Sequence, residues 1–117
     1  MARPIPASPQ LEPIHSADLT IVGKYCVILY DNRPYPGRIL SVDETDIEVL
    51  CMHSSATKYD SNIFYWPERT PDKCFYSFEN IITLIPEPVK VADHGRLSSS
   101  YKVDPSLWKL VEQYCTK

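Results

Sequence analysis

The sequence predicts a mainly β protein: a strongly bent, five-stranded antiparallel barrel over residues 21–88, preceded by a proline-rich arm over residues 1–20 and followed by one short helix. Three observations lead there. From Ile21 onward, short runs of β-branched and aromatic residues alternate with Asp, Asn, Pro and Gly, the texture of a compact antiparallel sheet. Pro4, Pro6, Pro9 and Pro13 remove amide donors and fix φ in the opening stretch, which disfavours helix and ladder alike. Leu107, Trp108, Val111, Tyr114 and Cys115 recur at three- and four-residue spacing, as on one side of an amphipathic helix.

Size and composition limit the alternatives. A chain of 117 residues has room for one hydrophobic core, and 44% hydrophobic with 23% charged residues is the composition of a packed globular domain. A net charge of -3 argues against wrapping nucleic acid by charge alone, which needs clustered Lys and Arg. The first nine residues lack the apolar stretch of a signal peptide, and no run of about 18 apolar residues could span a bilayer. The expectation is a nuclear or cytoplasmic protein with no membrane contact. In those compartments Cys26, Cys51, Cys74 and Cys115 are expected as reduced thiols.

The elements follow in order. Residues 24–30 make the first strand, with Gly23 giving a free φ before it. Asp31, Asn32, Arg33 and Pro34 make a turn, since Asp and Asn bond their own backbone and Pro presets φ. The second strand, 35–42, contains Pro36, which must face away from a ladder, and Gly37, which permits a sharp bend or close backbone approach. After a turn at 43–46, residues 47–53 form the third strand, with Ile47, Val49 and Cys51 on one face. A polar loop from Ser54 leads to a fourth strand at 62–66, and a charged excursion at 68–73 leads to a fifth at 74–78. Residues 79–82 read as one helical turn, 83–85 close the sheet, and Pro86 and Pro88 end it. Residues 89–103, with Gly95 and three consecutive serines, read as a linker. The helix occupies 104–117, with Asp104 as N-cap and Pro105 at its first position. In the arm, Ile5, Leu11 and Ile14 are the side chains able to dock on the barrel.

The string from Val22 through Asp31, with Gly23, Cys26 and Tyr30, followed by Tyr35, Pro36, Gly37, Arg38 and Ile39, resembles the opening of Tudor-like and related SH3-like barrels. That family runs a G-x-x-C-x-A-x-Y-x-D strand into a turn and a W-Y-x-A-x-I strand. The likeness covers residues 21–88, and it implies a recognition domain with an aromatic cage. After the third strand, Cys51, Met52, His53, Ser54 and Ser55 replace the family's acidic-aromatic-glycine turn, and the loop before Phe64 is longer. The block 63–88 also resembles domains of mobile-element-derived animal proteins, a likeness that implies no activity.

The chemistry rests on rings. Tyr30, Tyr35, Phe64, Tyr65, Trp66 and Tyr76 are too many large rings for one narrow core, so some are expected to line a surface groove. Aromatic faces attract methylated ammonium or guanidinium groups, and Asp31 or Asp43 would add negative charge. Alternation sets Phe64 and Trp66 on one face and Tyr65 on the other, so the three cannot share one cage. The competing reading packs the rings in the core, against Trp108 or under the arm. The expected ligand-binding residues are Tyr30, Tyr35, Trp66 and Tyr76, with Asp31.

Weaker constellations point elsewhere. Cys51 and His53, with Cys26 or Cys74, have metal-ligating chemistry but not the close paired spacing of a structural zinc site, and Cys26, Cys51 and Cys74 read first as small core residues. His53 with Ser54, or with a cysteine, lacks an orienting third group for nucleophilic catalysis. Arg33, Arg38, Lys58 and Arg69 beside aromatic residues are the best case for stacking bases and holding phosphates. The reading is therefore a non-enzymatic module without cofactor or metal. It binds a peptide, with methylated Lys or Arg as the suited ligand, in chromatin or another nuclear or cytoplasmic setting. The alternatives are an assembly domain that holds a partner or a second copy, and a nucleic-acid accessory domain.

Overall fold

The computed structural model of the protein describes residues 10–15, 18–54, 62–91 and 100–116. In chain order their elements are a 3-10 turn at Leu19–Ile21, β1 (Tyr25–Tyr30), β2 (Arg33–Asp43), β3 (Asp46–Cys51), β4 (His53–Ser54) and β5 (Ile63–Tyr65). There follow β6 (Asp72–Ser77), a 3-10 turn at Phe78–Asn80, β7 (Ile81–Ile85), β8 (Val89–Lys90), β9 (Ser100–Lys102) and α1 (Pro105–Cys115). Two antiparallel sheets result, one ordered β6-β3-β2-β1-β7 and the other β4-β5-β9-β8. The protein is thus mainly β with a short C-terminal helix. Among the described residues no ladder joins β6 to β7, which are connected only through the Phe78–Asn80 turn.

Turn chemistry sets the first hairpin. Tyr30 pairs with Arg33, leaving only Asp31 and Asn32 in the loop, at φ 52° and 60°. Two positive φ values make the turn whose twist suits paired strands, and Asp and Asn tolerate that region better than other side chains. The expected turn over 31–34 is therefore shorter, and Arg33 and Pro34 belong to β2. Counting outward from the loop, Pro34 and Pro36 fall on the pairs that exchange no hydrogen bonds with β1, so their missing donors cost that ladder nothing. The second hairpin closes through Glu44 and Thr45, with Glu44 at φ 52°.

Gly37 fixes how closely β2 and β3 approach. A Cβ there would stand 2.5 Å from Val49 Cγ1 and 2.7 Å from the Leu50 carbonyl oxygen. The register between these strands then slips between Ile39 and Ser41, and a second slip separates Val27 and Ile28 where β1 meets β7. Such irregularities bend and twist a sheet.

Two core clusters, rather than the one expected from chain length, form on opposite faces of the larger sheet. Cys26, Ile28, Ile39, Ile47, Val49, Cys51 and Ile81 pack together, with Ile21 beside them. Val27 points the other way, to Met52, Phe64, Ile82, Val103, Leu107, Trp108 and Val111. The second sheet and α1 cover that face. The helix begins where Asp104 accepts from the Ser106 and Leu107 amides (2.8 and 3.3 Å), and the Phe64 and Trp108 rings meet edge to face at 4.9 Å. Trp108 Nε1 is buried without an acceptor among the described residues.

Several expectations change. Residues 62–66 do not supply the fourth strand of the larger sheet; β5 pairs with β4 and β9 instead, and β7 completes the five strands. The linker reading of 89–103 gives way at both ends to β8 and β9, because Tyr101 and Val103 have apolar partners to cover. Its central residues, 92–99, lie outside the described residues. The helical turn falls on Phe78–Asn80 rather than 79–82, since β-branched Ile81 and Ile82 join β7. In the arm, Leu84 N donates to Glu12 O (2.9 Å), Glu12 N donates to Thr83 Oγ1 (2.7 Å), and Leu11 and Ile14 reach the two cores. Ile5 lies outside the described residues. No helix among them is long and apolar enough to cross a membrane.

Two substitutions should move stability in opposite directions. Glu44→Gly removes the cost of a side chain at positive φ and should raise the urea midpoint by an amount equivalent to about 0.5–1 kcal/mol. Gly37→Ala should lower it by about 1–3 kcal/mol, because β3 must give way.

Candidate functional site

Period-two alternation delivers side chains from six strands to one cleft of about 510 Å³. Ile28 and Tyr30 come from β1, and Tyr35, which pairs with Ile28, comes from β2. Cys51 comes from β3, while Asp72, Cys74 and Tyr76 are alternate residues of β6. His53 and Ser54 of β4 and Tyr65 of β5 complete the wall. The buried Ile28 and Cys51 join the cleft to the core of the larger sheet. The rings stand edge-on to one another: Tyr30 and Tyr35 have centroids 6.5 Å apart at 60°, and His53 and Tyr65 are 5.9 Å apart at 77°. Tyr30 is 60% exposed.

Two pairs of polar groups meet in the cleft. The His53 Nε2 lies 3.0 Å from Asp72 Oδ2, and the Cys51 thiol lies 3.6 Å from the Tyr76 hydroxyl. Burial pushes the Cys51 thiol up from 9.0 to about 11. Burial, then the hydrogen bond with Cys51, pushes the Tyr76 phenol well above its ordinary range. Cys26, sealed beneath the sheet, is raised further by burial. These groups are neutral at physiological pH. The Cys74 thiol donates to the Phe75 carbonyl (3.7 Å), and the hydrogen bond of His53 goes to Asp72.

Three of the four ring residues expected at the site, Tyr30, Tyr35 and Tyr76, meet in this cleft. Trp66 does not. It packs between Tyr25 (6.5 Å) and Tyr101 (6.4 Å) and lines a neighbouring hollow of about 380 Å³ with Tyr65, Glu68 and Arg69. The alternation that buries Phe64 carries Trp66 to the same side and turns Tyr65 toward the cleft. Asp31 sits in the hairpin loop and does not line the cleft; Asp72 is the carboxylate there. Tyr65 and Asp72 were legible in principle: Tyr65 as the odd residue of the Phe-Tyr-Trp run, and Asp72 once β6 is extended back two residues to give the Asp-x-Cys-x-Tyr alternation.

The remaining constellations separate. Among the described residues no three His, Cys, Asp or Glu side chains come together to hold a metal. Cys26 faces the closed core, away from the cleft that Cys51, His53 and Cys74 share. Arg33 borders a hollow of about 210 Å³ beside Pro34 and Trp108, Arg38 lies 6.0 Å over the Tyr25 ring, and Arg69 borders the Trp66 hollow. Lys58 lies outside the described residues. Comparison with protein-family models, curated proteins and solved structures finds no match.

Thiol chemistry checks this arrangement. Cys74 is exposed, whereas Cys26 and Cys51 are buried with raised pKa values. Among these three, Cys74 should react first with Ellman's reagent at about pH 8, and Cys74→Ser should remove that phase. Because its folded pKa is raised, Cys51 contributes stability that is fully present below pH 9.0 and is lost as pH rises through about 11. Urea midpoints measured across that window should fall less steeply in Cys51→Ala.

Proposed function

We propose that the protein is a non-enzymatic recognition module, an SH3-like barrel formed by the larger sheet, which binds a peptide bearing a methylated Lys or Arg in the tyrosine cleft. One observation carries the reading: four tyrosines, Tyr30, Tyr35, Tyr65 and Tyr76, converge from four strands on a single cleft that also holds a carboxylate, Asp72. The meander of β1, β2 and β3 and the 3-10 turn before β7 support the barrel. Ring faces are electron-rich, and each face turned toward a cation is worth about 0.5–2 kcal/mol according to how far water is excluded. Hydroxyl-bearing rings also tolerate a cleft that is wet when empty. A nuclear or cytoplasmic setting, chromatin included, is where such ligands occur.

A second reading has its own support. The outer edge of β6 is unpaired among the described residues, and Phe75 on that strand is 50% exposed. Strand addition there by a partner or a second copy would make the domain an assembly device. A monomeric mass at high concentration in size-exclusion light scattering would remove the self-pairing form of that reading.

Arrays of lysine- and arginine-methylated peptides, followed by calorimetry on the hits, test the first reading. Tyr30→Ala should weaken binding by about 0.5–2 kcal/mol with an unchanged circular dichroism spectrum. Tyr65→Ala should do the same. Trp66→Ala should instead lower the unfolding midpoint while leaving the affinity of the folded protein near wild type. Wild-type affinity in both tyrosine variants would refute the cleft as the binding site.

A further inference from the structure

The carboxylate of the tyrosine cleft has a resident partner. Cys51 and Asp72 face each other across β3 and β6, and His53, two residues beyond Cys51, reaches Asp72 Oδ2 through Nε2 at 3.0 Å. The two side chains keep 42% and 46% of their surface exposed, so the contact lies at the mouth of the cleft rather than in its floor. We infer that His53 competes with the bound cation for Asp72, and that the cleft therefore holds a quaternary ammonium group more tightly when His53 is neutral than when it is protonated. The inference rests on the proposed cation-binding reading of the cleft.

Imidazole is the side chain whose charge ordinarily changes between about pH 5 and 8. Protonated, His53 forms a neutral pair with Asp72 and sets a positive charge beside the place the ligand's charge must occupy. Neutral, it can still donate its Nε2 proton, and Asp72 then presents its full negative charge to the cleft.

Among the described residues, no other group lining the cleft offers the same change of charge. On β3 and β6, burial keeps Cys51 and Tyr76 in their neutral forms, and Cys74 of β6 presents a thiol bonded to its neighbour's carbonyl. On β5, Tyr65 meets the imidazole edge-on. On its other side His53 borders the Trp66 hollow, where Glu68 and Arg69 carry opposite charges. Among the described residues that line the cleft, Asp72 is thus the only fixed charge and His53 the only base.

A quaternary ammonium isolates the effect, since its charge does not depend on pH and it has no N–H to seek an acceptor. A unit charge withdrawn from about 5 Å away in water changes affinity by a factor of about four.

The test uses the full chain and two probes of known charge, tetramethylammonium and Nα-acetyl-trimethyllysine amide, titrated by NMR at about pH 5.5 and about pH 8. The wild type should bind both about four-fold more tightly at the higher pH. His53→Gln keeps a donor to Asp72 but cannot charge, so its affinity should not change with pH. Asp72→Asn should bind weakly at both. Equal wild-type affinities at the two pH values, a pH dependence retained by His53→Gln, or wild-type affinity in Asp72→Asn would each overturn the competition while leaving the cation site standing. Absence of binding by either probe at both pH values would overturn the cation-site reading itself, and this inference with it.

Discussion

Strand β1 has no solvent face along its middle, and the rest of the architecture follows from that. Cys26 and Ile28 point into one core and Val27 into the other, so a single three-residue stretch must be covered from both sides. Covering the first side requires the larger sheet to bend over itself, which Gly37 and the two register slips allow. Covering the second requires extra chain, supplied by the small sheet and α1. A lone bent sheet would leave Val27, Ile82 and Ile85 in water.

The cleft is a by-product of the same bending. Where the first core reaches its end, the alternating positions that continue along the same face of β1, β2 and β6 are Tyr30, Tyr35, Asp72, Cys74 and Tyr76. The small sheet then contributes His53 from its edge strand β4 and Tyr65 from its interior strand β5. A tyrosine can close such an end because its ring covers aliphatic carbon while its hydroxyl stays hydrated. The interior chemistry fits this view: buried thiols and a phenol with raised pKa values leave the floor uncharged, and charge is confined to the mouth.

The sequence made local features legible and distant pairings much less so. The first two hairpins, the role of Gly37, the Asp104 cap and the buried stripe of α1 depend on neighbours within a few residues, and residue chemistry reads them directly. The second sheet depends on β5 meeting β9, where Phe64 faces Tyr101 across 37 positions of sequence, and no local pattern announces such a pairing. The serine-rich composition of 89–103 conceals it further, because only three residues near the end of that interval, Ser100–Lys102, form the strand. At the site, the tyrosines of β1, β2 and β6 were legible as surplus rings. Trp66, expected beside them, is drawn by its size against Tyr25, Tyr101 and the second core instead.

The clip between residue 12 and β7 has a practical meaning. Glu12 bonds the Thr83 hydroxyl and the Leu84 amide on the outer margin of the larger sheet, where a growing β ladder would otherwise find an acceptor and a donor waiting. A recombinant fragment cut at residue 21, where the strand-rich texture begins, would therefore lose a cover rather than a tail. Its insolubility would report a sticky margin, not a failed fold.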